Sequence, residues 1–187
     1  MSTPRDFWIG HRVRLRAARD EDWRAFFDAA GDSESDRLAS EVRLPPTEAE
    51  WRARMTKPSD TAADKAWLVI ERLDDPIVVG HINVHDADRR HRSFEYGIRL
   101  FPPFWRQGFA SEAIALLLRY YFRELGYHRA FATVYAFNAG SLRLHDRLGF
   151  TREGVLRENL FAAGEYHDEI CFGLLDREFD PLEAKLP

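Results

Sequence analysis

The chain has 187 residues, 45% of them apolar, which is enough for one domain with a real core. A formal charge of −4 and an isoelectric point near 6.0 exclude a globally basic surface of the kind that holds nucleic acid. A single cysteine, Cys171, rules out an internal disulfide, suits a reducing compartment and, in its apolar run, reads as a buried small hydrophobe.

Only three of the 27 basic residues are lysines (Lys57, Lys65, Lys185), a bias we attribute to a GC-rich genome. The arginines are interleaved with acids. The apolar trio Phe7-Trp8-Ile9 is too short for a signal-peptide core. No run approaches the ~18 apolar residues of a membrane span. The expectation is a soluble, cytoplasmic, bacterial-type protein with no nucleic-acid or membrane partner and no metal site.

Taken in order, residues 11–16 alternate charged and apolar, with Val13 and Leu15 on one face, and predict a half-buried strand. Asp20 is expected to cap a helix through about Ala30, with Trp23, Phe26 and Phe27 on its apolar side. Residues 28–50 carry seven acids (Asp28, Asp32, Glu34, Asp36, Glu41, Glu48, Glu50), and residues 32–36 read as a loop. Pro45-Pro46-Thr47 leads into a second helix, with Glu50 completing a capping box on Thr47. Residues 57–64 read as a polar connector. Residues 66–72 and 77–84 form a hairpin signal, with Gly80 marking a bulge or close packing. A polar turn is expected over residues 86–91.

The stretch over residues 95–125 organises the rest. Residues 95–100 read as a strand, Pro102-Pro103 force a turn, and residues 110–125 follow a helical period ended by Gly126. A strand, a glycine turn and a helix start gather backbone N–H groups suited to an anion, best a phosphate. Further on, residues 129–135 read as a strand. Asn138 opens a short helix ending at Leu148-Gly149, and residues 150–161 and 166–174 form a last hairpin around Ala162-Ala163-Gly164. No repeat or linker divides the chain, and the pattern implies one mixed α/β sheet with helices packed on it.

Trp105-Arg106-Gln107-Gly108-Phe109-Ala110, followed about 30 residues later by Asn138-x-x-Ser141, Leu148-Gly149-Phe150 and Gly154, resembles the two signatures of the GNAT superfamily of acetyl-CoA-dependent N-acetyltransferases. Trp105 stands where that family usually has Gln or Arg. The tail, Glu153-Gly154-Val155-Leu156-Arg157-Glu158-Asn159 and Gly164-Glu165-Tyr166-His167-Asp168, resembles the branch of ribosomal-protein N-terminal and spermidine acetyltransferases. The resemblance covers roughly residues 10–176. It implies a single N-acetyltransferase domain (residues 1–187), α/β (α+β) in class, with a mostly antiparallel mixed sheet of about seven strands and about four flanking helices.

The resemblance also implies a site. The amides of Arg106, Gln107, Gly108, Phe109, Ala110 and Ser111 would hold the pyrophosphate of coenzyme A. The edge of Ile98, Arg99 and Leu100 would pair with its pantetheine amides, and Asn138 and Ser141 would lie along that arm. Arg106 is either a further phosphate contact or a solvated surface arginine. An alkyl amine with a pKa near ~10.4 is mostly protonated at neutral pH, so direct attack on the thioester needs a base. Glu95 matches the family's acidic position; its bland alternative is an ion-paired edge residue. His145 stands where the family usually places a Tyr that protonates the departing thiolate, with Ser141 as the reserve donor. A neutral imidazole can still donate from one nitrogen, although a satisfied helix histidine is the plainer reading.

The acceptor is expected opposite the cofactor, between the first two helices and the final hairpin, where the acidic region would attract a polyamine, aminoglycoside or basic peptide N-terminus unless it is simply a solvated loop. Tyr166, His167 and Asp168 are placed on that wall, and the hairpin is long enough to reach a second copy in a homodimer. Three readings stand: an N-acetyltransferase of small amines, an N-terminal peptide acetyltransferase, and a non-catalytic acetyl-CoA-binding module.

Overall fold

The strands form where β-branched and aromatic residues run in alternation, and the computed structural model joins seven of them into one sheet. It describes residues 6–39, 42–55 and 65–185, so the connector expected over residues 57–64 lies outside the described residues. The strands are β1 (Val13–Arg16), β2 (Trp67–Arg72), β3 (Val78–Asp88), β4 (Ser93–Leu100), β5 (Arg129–Tyr135), β6 (Thr151–Ala162) and β7 (Glu165–Leu175). Their order is β1-β2-β3-β4-β5-β7-β6, and every neighbouring pair is antiparallel except β4–β5. This is the mixed, mostly antiparallel sheet that was expected.

Among the described residues the α-helices are α1 (Trp23–Asp28), α2 (Ser33–Ala39), α3 (Glu48–Met55), α4 (Phe109–Arg119), α5 (Ala139–Leu148) and α6 (Asp180–Glu183). The larger core lies under α4, where Ile114, Leu117 and Tyr121 meet Phe94, Ile82 and Leu174, all fully buried. A smaller aromatic cluster on the opposite face joins Phe26 and Met55 to Val69 and Phe101. Buried apolar surface on both sides fixes the register of β2, β3 and β4.

Several local expectations hold for visible reasons. Thr47 and Glu50 exchange hydrogen bonds as a capping box, and α3 begins at the next residue. Asn138 caps α5 by accepting from the Ser141 N–H at 2.9 Å, and Gly149 ends that helix with φ of +87°. At Gly80 a Cβ would collide with the Arg99 carbonyl, and the register slips one residue away, between Ile70 and Glu71 of β2.

Four expectations are corrected. Residues 32–36 are not a loop: the Asp32 carboxylate accepts from the Ser35 N–H at 2.7 Å and starts α2. The first helix opens with a 3-10 turn, and the carboxylate bonded to the chain before it is Asp22, not Asp20. The turn expected at residue 86 is still strand, because β3 pairs with β4 out to Asp88. The long helix loses its α spacing at Tyr120 and finishes as a π-helical turn through Glu124.

Candidate active site

β4 and β5 run parallel but stay together for only three pairs, Ser93 with Arg129, Phe94 with Ala130 and Glu95 with Phe131. Beyond Glu95 the strands part. β4 keeps β3 on its other side as far as Leu100, and β5 keeps β7 as far as Tyr135. Each strand therefore turns one edge toward the gap; along β4 the backbone groups alternate, so those of Ile98 and Leu100 face the gap, the Leu100 carbonyl already bonded, while those of Arg99 face β3. The gap is a groove of about 810 Å³. It falls within the ordinary size range of small-molecule sites.

One end of the groove is the start of α4. Gly108 has φ of +87° and Arg106 φ of +60°, so the chain takes left-handed turns just before the helix. Glu112 makes the helix's first bond, to the Gly108 carbonyl at 3.3 Å. The N–H groups of Phe109, Ala110 and Ser111 precede it and have no acceptor within the helix. Together with the helix dipole they make an anion-binding end. The loop is braced by partners outside the signature. The Trp105 indole N–H donates to the Leu100 carbonyl at 2.8 Å, and the Gln107 amide donates to the Pro103 carbonyl at 2.9 Å. Arg12 donates to the Gln107 carbonyl and lies over the Phe109 ring. The Glu112 carboxylate accepts the N–H groups of His11 and Arg12.

Glu95 stands where the strands separate. Its carboxylate accepts from Thr133 Oγ1 on β5 at 3.1 Å and lies 3.5 Å from His85 Nε2 on β3. The register slips between Val84 and Asp86, so His85 is an extra residue bulged out beside Glu95. The Asn83 side-chain amide donates to His85 Nδ1 at 3.3 Å, which leaves the proton on Nε2, facing the carboxylate. The pair shifts both groups. The His85 hydrogen bond, followed by its charge and Thr133, holds Glu95 below the usual carboxylate value despite partial burial. The same bond and the Glu95 and Asp86 charges raise His85.

His145 lies deeper, only 2% exposed. Its Nδ1 is 2.9 Å from the Ser141 carbonyl oxygen, which can only accept, so Nδ1 carries the proton. Nε2 then accepts from the Tyr96 hydroxyl at 3.0 Å. Burial pushes His145 down and Tyr96 well up, so both are neutral. Ser141 Oγ, 3.4 Å from Nδ1, is more exposed and lines the groove.

A model of the acetyltransferase (GNAT) domain matches residues 12–151, about three quarters of the chain. The uncharacterized N-acetyltransferase YokL of the SPbeta prophage in Bacillus subtilis is 36% identical over 174 residues, covering 93% of this chain and 96% of that one. The chain belongs to the GNAT acetyltransferase family. A crystal structure of a GNAT-family acetyltransferase from Bacillus anthracis superposes with a TM-score of 0.77 at 28% identity, covering 91% of this chain and 98% of that one. The spermidine N(1)-acetyltransferase of Vibrio cholerae is 32% identical over 91 residues, 49% of this chain and 53% of that one. The fold of the spermidine N-acetyltransferase from that organism, solved with CoA and spermine, matches with a TM-score of 0.77 at 24% identity, covering 89% and 97% of the two chains.

In this GNAT acetyltransferase α2 spans the groove like a strap. At one end Arg99 of β4 donates to Ser35 Oγ at 3.2 Å and pairs with Asp36 at 2.5 Å. At the other, the Asn138 side-chain amide donates to the Leu38 carbonyl at 2.9 Å. Asn138 thus serves two elements, capping α5 and tying α2. Several acids of residues 28–50 are already occupied. Asp32 starts α2, Asp36 meets Arg99, Glu48 lies 3.4 Å from Arg52, and Glu50 is in the α3 cap. Tyr166 is 67% exposed, His167 donates to the Ala162 carbonyl at 3.1 Å, and Asp168 accepts from the Glu158 N–H at 2.8 Å.

The groove brings together Glu95, residues 98–100, Arg106, Gly108, Ala110, Ser111, Asn138, Ser141 and His145; the side chains of Gln107 and Phe109 do not line it. Sequence reading missed His85, Asn83, Thr133, Tyr96 and Arg12. The period-2 spacing of Asn83 and His85 was a signal for two of them, since it places them on one face of a strand whose partner carries Glu95.

Proposed function

We propose that this acetyltransferase moves the acetyl group of acetyl-CoA to a primary amine by direct attack of the neutral amine. One observation carries the reading: two parallel strands part at the carboxylate of Glu95, and the gap between their open edges ends at left-handed Gly108 and the first amides of α4. That cradle suits a long thioester with amide groups along its arm and a pyrophosphate at one end. Acetyl-CoA, when bound, supplies the thioester carbonyl whose carbon gains the C–N bond as its C–S bond breaks.

The chain's own groups do the rest. The amides of residues 106–111 bind the pyrophosphate, and the open edge of β4 at Ile98 fixes the arm, with Arg99 and Leu100 flanking it. Glu95 takes the amine's proton, directly or through water, while Thr133 holds its other oxygen and His85 sets its charge. Ser141 is the better-placed donor to the sulfur, because it presents a hydroxyl to the groove. The proton of His145 is already given to a carbonyl, which supports a positioning role for that ring. The test is an amine panel incubated with acetyl-CoA and read as free thiol. Turnover that disappears in Glu95→Gln supports the reading. A protein that binds acetyl-CoA and releases no thiol with any amine sinks it.

A further inference from the structure

Behind α2 lies a second cavity, of about 410 Å³, contiguous with the groove: Ala39, Gly97, Ile98 and Arg99 line both. Its floor is the face of the sheet that carries Glu95. Side chains alternate along a strand, so Glu95, Gly97 and Arg99 share that face with the β3 partners Asn83, opposite Gly97, and His81, opposite Arg99. Gly97 has no side chain to block the path from Glu95 to the cavity.

The cavity is electropositive. Arg43, Arg54 and Arg99 line it against Asp36 and Glu50, and both carboxylates are engaged, Asp36 with Arg99 and Glu50 with Thr47. Arg54 is exposed and lies over the Trp51 ring, and no carboxylate among the described residues pairs with it. His81 is driven down to about 3 by burial and by Arg99 and Arg54, so it adds no charge. The walls also hold three buried polar atoms with no partner among the described residues: Trp51 Nε1, Arg99 Nε and His81 Nδ1. The first two can only donate. Unmet buried donors, beside an arginine that has no carboxylate partner among the described residues, are what an anion with several acceptor sites satisfies.

We propose that this cavity receives the far end of the acceptor, and that this end is a carboxylate opposite Arg54. The acceptor is then an amine with an acid at its other end. A polyamine would have to set its second ammonium in a lining where three arginines outnumber two carboxylates. The proposal rests on the transferase reading for its orientation, with the amine at Glu95 and the acid at Arg54.

The test titrates diglycine, triglycine and tetraglycine, each against its C-terminal amide, and spermidine, into the protein saturated with coenzyme A. Turnover with acetyl-CoA is followed in parallel. At least one free acid is expected to bind about tenfold or more tighter than its amide, with spermidine weaker than that acid. Arg54→Gln is expected to bring the acid down to the amide, and Arg54→Lys to restore part of the difference. Coenzyme A titration of both variants checks their folding. Equal binding of every acid and its amide overturns the proposal, as does tighter binding of spermidine. Carboxylate preference without turnover of any amine leaves this cavity assigned and removes the transferase reading. Turnover without that preference removes this proposal alone.

Discussion

The Tyr96 hydroxyl donates to His145 Nε2 at 3.0 Å, joining β4 to α5 beneath the groove with both side chains at most 3% exposed. The bond exists because His145 has already committed its one proton to the Ser141 carbonyl. Tyr96→Phe strands a buried acceptor and is expected to destabilise the fold by about 1–3 kcal/mol in urea unfolding. Adding His145→Leu to that variant should cost less than the sum of the single changes, because the two share the bond. Additive losses would show that the bond contributes nothing.

The Glu95–His85 pair predicts a particular pH dependence. His85 is raised above 6.5 and Glu95 lowered below 4.5, so between those values the carboxylate is ionised beside a protonated imidazole that opposes further proton uptake. As pH rises through the His85 pKa the imidazole becomes neutral and Glu95 becomes the stronger base. kcat should therefore climb along a limb above 6.5 that belongs to the pair. In His85→Gln that limb should move down into the carboxylate range. Glu95→Gln should lower kcat by about 10²–10⁴ with coenzyme A affinity retained.

Gly108 tests the cofactor end. At φ of +87° a side chain there is strained, and a Cβ would stand 3.3 Å from the Arg12 guanidinium. Gly108→Val is expected to cost about 1–2 kcal/mol of stability in thermal melts. It should also abolish heat on titration with coenzyme A. A variant that still binds coenzyme A with unchanged affinity would remove the turn from the site.

His81, together with the buried His145, sets the first step of acid unfolding. The folded pKa of His81, about 3, lies below the ordinary 6.5. As pH falls through 6.5 the unfolded chain takes up a proton that the folded chain refuses, so stability drops on acidification before the carboxylates titrate. Paired carboxylates such as Asp22, held below 3.8 chiefly by Arg16 against the opposing effect of burial, add their loss only at lower pH. His81→Phe keeps a ring against Trp67 and Phe26 and should flatten the upper part of that curve, read by urea unfolding at stepped pH.

Local chemistry made most of the fold legible. Alternation marked β1, the Thr47–Glu50 capping box marked α3, Asn138 marked the start of α5, and Gly108 marked the turn at one end of the groove. What stayed hidden depends on partners far along the chain. α2 was read as a loop because its acids and serines favour turns, and its anchors, Arg99 and Asn138, lie 63 and 100 residues from Asp36 and Leu38. Alternation puts Asn83 and His85 on one face of β3, but the one-residue bulge that sets His85 beside Glu95 is not visible in it. The acidic segment looked like an attractant for cations because its counter-charges, Arg99 above all, come from the sheet.

The short parallel seam between β4 and β5 has a consequence for the life of the protein. Among the described residues, three residue pairs and the bond from the His128 N–H to the Arg92 carbonyl just before them make up the backbone pairing between the first four strands and the last three. A ligand that hydrogen-bonds both open edges works as a temporary eighth strand, and its binding is also folding free energy: about 2.7 kcal/mol at a hundredfold excess over its Kd. Resistance to melting and proteolysis should then rise with the concentration of whatever ligand bridges the two edges.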